Sequence, residues 1–200
     1  ALTLLSTAFS VGIIYFGALP RIIAGTSPVT AALMASIIII PVTFYTAHGF
    51  NRKTHVAVVS TVLALFVAGF LSWGAVAAAN LTGFSSDEAL FLSIREGQIN
   101  MRGVLLAGLL IGFLGILDDV TISQAGLVTQ LKKANPNLGS LELYKRGMEV
   151  GRDHVTSMIN TLVLVYTGAS LPMVLLFFST QAPLYDAINS EMLAEEIVRT

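Results

Sequence analysis

Long, nearly uninterrupted apolar runs recur along this chain, and they constrain its fold more than any motif does. Roughly Leu2–Leu19, Pro28–Thr46, Thr54–Ala79 and Val155–Ser179 are such runs. A further one begins near Arg102 and runs through Leu117, with an apolar continuation to Leu127. About 20 apolar residues suffice to cross the hydrocarbon core of a bilayer as a helix. A lone strand in lipid would leave its backbone groups unpaired, and the strands of a closed barrel alternate apolar with polar residues, which these runs do not. The expected fold is therefore all-α, a polytopic transmembrane helix bundle with five spans in a single domain over 1–200.

Composition agrees. Charged residues make up 12% of the 200 positions and hydrophobic ones 54%, with a mean hydropathy of +0.79. Soluble domains carry about 25% charged residues. A net charge of −1 gives no electrostatic support for nucleic-acid binding. The chain has no cysteine, which excludes disulfides, thiol chemistry and thiolate metal sites. It starts inside an apolar run and stops after an amphipathic stretch, so the expectation is a piece of a longer chain.

The connections set the orientation. Arg52 and Lys53, with His48 and His55 beside them, follow the second span; Lys132, Lys133, Lys145, Arg146 and Arg152 follow the fourth. The other two connections hold only Arg21, Arg95 and Arg102. Basic residues gather on cytoplasmic loops, so the first set faces the cytoplasm and the 80–100 connection faces outward. Within the basic 132–153 connection, Ser140 is a suitable N-cap. Leu141, Leu143, Tyr144, Met148 and Val150 then alternate with charges, as expected of a short helix lying on the cytoplasmic interface.

Asp118 and Asp119 end the apolar run Gly112–Leu117. An ionisable group inside a membrane helix is costly, and its place needs a reason. At helical spacing Gly108, Gly112, Gly115, Asp119, Ser123 and Gly126 share one face, and Gly108 with Gly112 permits close approach of a neighbouring helix. This reading turns Asp119 into a helix contact about 25 Å along the span, level with Asn160 and Thr161 of the last span. A poorly solvated carboxyl takes up a proton more readily than one in water, as a proton-coupling residue must. In the competing reading the doublet closes a short helix at the interface, with both carboxylates in water.

Arg152 and Asp153, where the last span begins, either clamp an anionic group or serve as a basic anchor with an acid at a helix N-terminus. Ser170 and Pro172 interrupt that span: Pro172 removes a helix hydrogen bond and produces a break or kink, usable as a hinge or simply tolerated. The stretch containing Asn189, Glu191, Glu195 and Glu196 after Pro183 reads as a solvated approach to a further span. Adjacent aspartates on one helix point in different directions and cannot form a facing acid–base dyad, and no nucleophile, phosphate-loop or metal-ligand motif is present. An enzyme is not expected, and neither a cofactor nor a metal is implied.

Several short motifs together resemble the YibE/F family. They are His48-Gly49-Phe50-Asn51-Arg52-Lys53-Thr54, Leu114-Gly115 with Asp119, Ala134-Asn135-Pro136, Gly147-Met148, Gly151-Arg152-Asp153, Asn160-Thr161-Leu162, Ser170-Leu171-Pro172, and Asn189-Ser190-Glu191 with Ala194-Glu195-Glu196-Ile197. The resemblance implies a multi-pass protein of a bacterial cytoplasmic membrane, in a family described as transporters of unproven substrate and longer at both ends. The family pattern carries one acid at the position of Asp119 and usually an apolar residue at that of Asp118. A more distant likeness is to half of an RND-type membrane domain, the group that includes SecD and SecF. By that analogy Asp119 would relay protons beside Asn160 or Thr161. The function expected is transport of a small solute or ion, proton-coupled through Asp119. The alternative is a membrane scaffold, as a homo-oligomer or as a subunit of a larger complex.

Overall fold

The computed structural model describes residues 2–180, 185 and 189–199, and among them the regular structure is entirely helical. The first span joins α1 (Leu2–Ile13) to α2 (Leu19–Ile23) through a wide π-helical turn, Ile14–Ala18. Pro20 cannot donate a backbone hydrogen bond, and the turn ahead of it takes up the mismatch, with the Leu19 N–H reaching back to Ile14. Next come α3 (Pro28–His48), α4 (Arg52–Ala78), the short α5 (Asp87–Arg95) and α6 (Met101–Ala134). The chain closes with α7 (Ser140–Ala169), α8 (Leu171–Ser179) and α9 (Glu191–Arg199).

Among the described residues four helices are long and apolar enough to cross a membrane: Leu4–Ile23, Pro28–His48, Arg52–Ala78 and Met101–Ala134. The pair α7 and α8 meets the same test only when taken together, bent by 63° at Ser170. The break expected at Ser170-Leu171-Pro172 is therefore present, with Ser170 as the shared cap and Pro172 in the first turn of α8, where a missing N–H costs nothing.

α6 is the centre of the bundle. It packs on α4 along one flank and on α3 along another, and the first span packs on α3. Small side chains allow this closeness: Ala31, Ala32, Ala35 and Ser36 of α3, Ala57 and Thr61 of α4, and Ala107 of α6 are all buried. The Thr61 and Thr121 hydroxyls lie 2.6 Å apart across the α4–α6 contact. One donates to the other, and the remaining proton serves a carbonyl of its own helix, Ala57 at 2.9 Å or Leu117 at 2.8 Å. α4 and α6 run antiparallel, so the α3–α4 turn and the α6–α7 turn, flanked by Arg52, Lys53, Lys132 and Lys133, share one end of the bundle.

The helix ends bear on three readings of the sequence. α6 does not stop at Leu117 but runs fifteen residues beyond Asp119 to Ala134, so the aspartate pair does not cap a short helix. No separate interfacial helix precedes the last span: the 140–150 stretch is the first part of α7, because nothing between Val150 and Val155 breaks a helix. The N-cap is Gly139, with Ser140 the first helical residue.

The glycine contacts also differ from expectation. A Cβ added at Gly108, Gly112 or Gly115 would meet nothing within 4 Å, so that face of α6 is open rather than packed. The close approach occurs instead at Gly147 and Gly151 of α7. A Cβ at Gly147 would lie 3.1 Å from Val128, and one at Gly151 would lie 2.7 Å from the Gln124 side chain. Gln124 cannot easily yield, since its Nε2 donates to the Gly147 carbonyl at 2.6 Å.

At the opposite end, α9 folds back onto the loop after α4 instead of running into solvent; Pro183 lies outside the described residues. Ala194 and Val198 pack on Val76, Leu81 and Leu109. The Glu191 carboxylate accepts hydrogen bonds from the Thr82 N–H, the Thr82 hydroxyl and the Gly83 N–H, and the Ser85 hydroxyl donates to Glu195. Gly83 has φ 82°, and any side chain there would overlap the Met101 carbonyl.

Leucine at Gly147 or Gly151 should destabilise the fold by about 1–3 kcal/mol through overpacking. Alanine at Gly108 or Gly112 should be neutral or mildly stabilising. Thermal unfolding of the purified monomer in detergent would separate the two groups.

Glu191 gives a pH expectation. Partial burial pushes its carboxyl up, but the hydrogen bonds from Thr82, Gly83 and Phe84 outweigh this and hold it below the usual value. Its contribution to α9 docking is then present above the unfolded value and lost as pH falls through the lower folded one. Hydrogen exchange over residues 191–199 should rise on acidification, and Glu191→Gln should give fast exchange with less dependence on pH.

Candidate functional site: an acidic cleft between the first span and α6

The first span and α6 both lean on α3, and the space between them is a cleft of about 580 Å³. Ser6, Thr7 and Ser10 line one wall, Thr43 and His48 of α3 contribute to the floor, and Asp118, Asp119 and Ser123 stand on the α6 wall. Each polar group is placed by helical spacing. Ser6 and Ser10 are one turn apart, and Ser10 donates its hydroxyl to the Ser6 carbonyl at 3.0 Å. The Thr43 hydroxyl donates to the Ile39 carbonyl at 2.9 Å. Ser123 follows Asp119 by one turn.

Asp118 is half-buried and Asp119 exposed to the cleft, so the member with the lower exposure is not the one expected from the glycine face. Both residues nevertheless reach the same space, because the cleft is wide enough to take in two adjacent positions of α6. No lysine or arginine lines it, and among the described residues neither carboxylate has an ion pair. Two adjacent negative charges without a fixed counter-charge attract protons and cations and repel anions. His48, tilted against Phe44 with ring centres 6.4 Å apart, is the one lining side chain able to carry positive charge.

The other sequence-derived candidates lie elsewhere. Asn160 and Thr161 are exposed on α7 and do not line the cleft; Thr161 donates to the Ser157 carbonyl of its own helix at 3.0 Å. Depth alone matches them to Asp119, whereas α7 meets α6 near Gly147 and Gly151, beyond the aspartates. Arg152 and Asp153 are exposed, and neither joins an ion pair among the described residues. Gly115 lines the rim of the cleft, and Gly108 and Gly112 lie toward the other end of the same open face. Ser170 and Pro172 form the α7–α8 break, away from the cleft.

Ser6, Ser10, Thr43 and His48 did not emerge as site residues from the sequence. A signal was available, the hydroxyls of Ser6, Thr7 and Ser10 close together on a largely apolar span, but it gains meaning only once α3 brings that span opposite α6. No group of three or more metal-ligating side chains is assembled among the described residues.

The chain is naturally free of cysteine, so single cysteines report access directly. Cysteine in place of Ser10, Thr43 or Ser123 should react with a membrane-impermeant maleimide added from the basic-loop end. Cysteine in place of Ala35, which is 4% exposed, should react at least tenfold more slowly.

Comparison with known proteins adds one finding. No curated protein and no solved structure matches the chain. The YibE/F-like protein family does match, over residues 1–200, with the acidic cleft inside the matched region. The chain therefore belongs to the YibE/F-like protein family.

Proposed function

We propose that this membrane protein transports a small solute or ion across the bilayer, coupled to protons through Asp118 and Asp119, and that it is not an enzyme. The observation that carries this reading is the cleft itself. It holds two adjacent carboxylates among hydroxyls, with no lysine or arginine beside them, about 27 Å along a membrane helix. Polar side chains at that depth are expensive for a purely structural element and are characteristic of ion and proton paths.

Orientation follows from the loops. The basic end is the cytoplasmic end by the charge rule, so the cleft opens toward the cytoplasm of a cell membrane. The bent pair α7 and α8 then counts as a fifth crossing. Docking of α9 on Thr82 and Gly83, at the end away from the basic loops, supports this, because the chain must traverse the bundle after α6 to reach it. Ser6, Ser10, Thr43 and Ser123 would offer oxygen ligands to a cation or water along the path, and the Ser170 break is a place where the last span can flex.

A second reading has its own support. The face bearing Gly108, Gly112 and Gly115 would admit close approach of a helix, and among the described residues nothing lies within 4 Å of a Cβ added at any of the three. It favours assembly, with another copy or with a membrane partner, and is compatible with transport.

The test uses vesicles holding the purified protein and a trapped pH dye. An inside-negative potential is imposed and proton uptake followed while small solutes are screened. Asp118→Asn with Asp119→Asn should lower protein-dependent uptake at least tenfold, whereas Asn160→Ala should leave it unchanged. Uptake equal in the double variant and the parent would reject coupling through the cleft.

A further inference from the structure

The geometry points to a binding site for an anionic glycerophospholipid in the groove between α4 and α6, on the flank of α6 away from the acidic cleft. The groove encloses about 400 Å³ at the end of the bundle where the basic loops gather. Its walls are mostly apolar, with Val56 on α4 and Val120 and Val128 on α6. Arg52 and Lys53 stand at its mouth, and no carboxylate lines it.

The Lys53 side chain is half-buried and crosses toward α6: a Cβ added at Gly126 would lie 3.7 Å from its Cδ and 4.0 Å from its Nζ. Among the described residues neither Arg52 nor Lys53 has an ion pair, although Arg146 finds Glu142 at 2.7 Å on the same side of the molecule. A lysine stem commonly lies along apolar surface with its ammonium in water. Here the Lys53 and Arg52 side chains both border an apolar slot. An acyl chain against the valines with a phosphodiester between the two cations satisfies both halves of the groove. Basic pockets between membrane helices on the cytoplasmic side take anionic head groups in this way. A free phosphate would satisfy the cations and leave the slot in water; a neutral lipid would do the reverse.

The measurement is native mass spectrometry of the purified protein from mixed micelles containing phosphatidylglycerol and phosphatidylcholine in equal amounts. Parallel samples are given inorganic phosphate or glycerol phosphate alone. The expected result is retention of phosphatidylglycerol over phosphatidylcholine. Arg52→Gln with Lys53→Gln should reduce that retention roughly twenty-five-fold, two cations each contributing about a factor of five. Lys133→Gln with Lys145→Gln should leave it unchanged. Should the double variant fold poorly, Ser60→Phe keeps both charges and fills the groove, and it too should lose the lipid. Equal retention in the groove and control variants would overturn the assignment. So would competition by glycerol phosphate alone, or disulfide capture of a second copy through Val128→Cys.

Discussion

The antiparallel contact of α6 with α4 sets the position of nearly every other element. Its inner surface includes Ala57 and Ala107, the leucines Leu65 and Leu110, and the hydroxyls of Thr61 and Thr121, which satisfy each other where the two backbones come together. Lipid supplies no hydrophobic drive for helices to associate, so such small-residue packing and internal hydrogen bonds are the forces available. With α6 held by α4 on one flank and α3 on another, its remaining surface is shared between an acidic cleft and an open glycine face. α7 can then approach only at the far end, where Gly147 and Gly151 let Gln124 in.

The cleft is a consequence of that arrangement. The first span touches α3 and stands off from α6, and the gap collects the hydroxyls of one helix and the carboxylates of another. The same spacing explains why two consecutive aspartates serve one site although their side chains diverge. α9, latched by Glu191 to the loop after α4, closes the other end of the bundle. The two ends are chemically distinct: one has basic loops, the cleft and the α4–α6 groove, the other a capped loop and an amphipathic helix.

Much of this was legible in the sequence. The apolar runs located the four long helices, and Ser170-Leu171-Pro172 located the break, because helix length and proline chemistry are local properties. The acidic pair stood out for the same reason, as an ionisable doublet in an apolar run. Which face of α6 is buried was not legible. Glycine spacing marks where close approach is permitted, and the chain uses that permission at Gly147 and Gly151 rather than at Gly108 and Gly112. Asn160 and Thr161 were matched to Asp119 by depth along the membrane normal, which says nothing of lateral distance. The polar residues of the first span carry little signal of their own, because single hydroxyls are common in membrane helices, and only tertiary placement brings Ser6 and Ser10 to a cleft shared with carboxylates.

The central claim is that Asp118 and Asp119 are ionisable groups in a water-reached cleft within the membrane domain. Infrared difference spectroscopy between acid and alkaline buffers, on the protein in lipid, tests it most directly. The account predicts a protonated-carboxyl band that responds to pH, shifts within seconds on transfer to heavy water, and disappears when both residues are changed to asparagine. A spectrum unaltered by the two substitutions, or a band that exchanges only over hours, would contradict it.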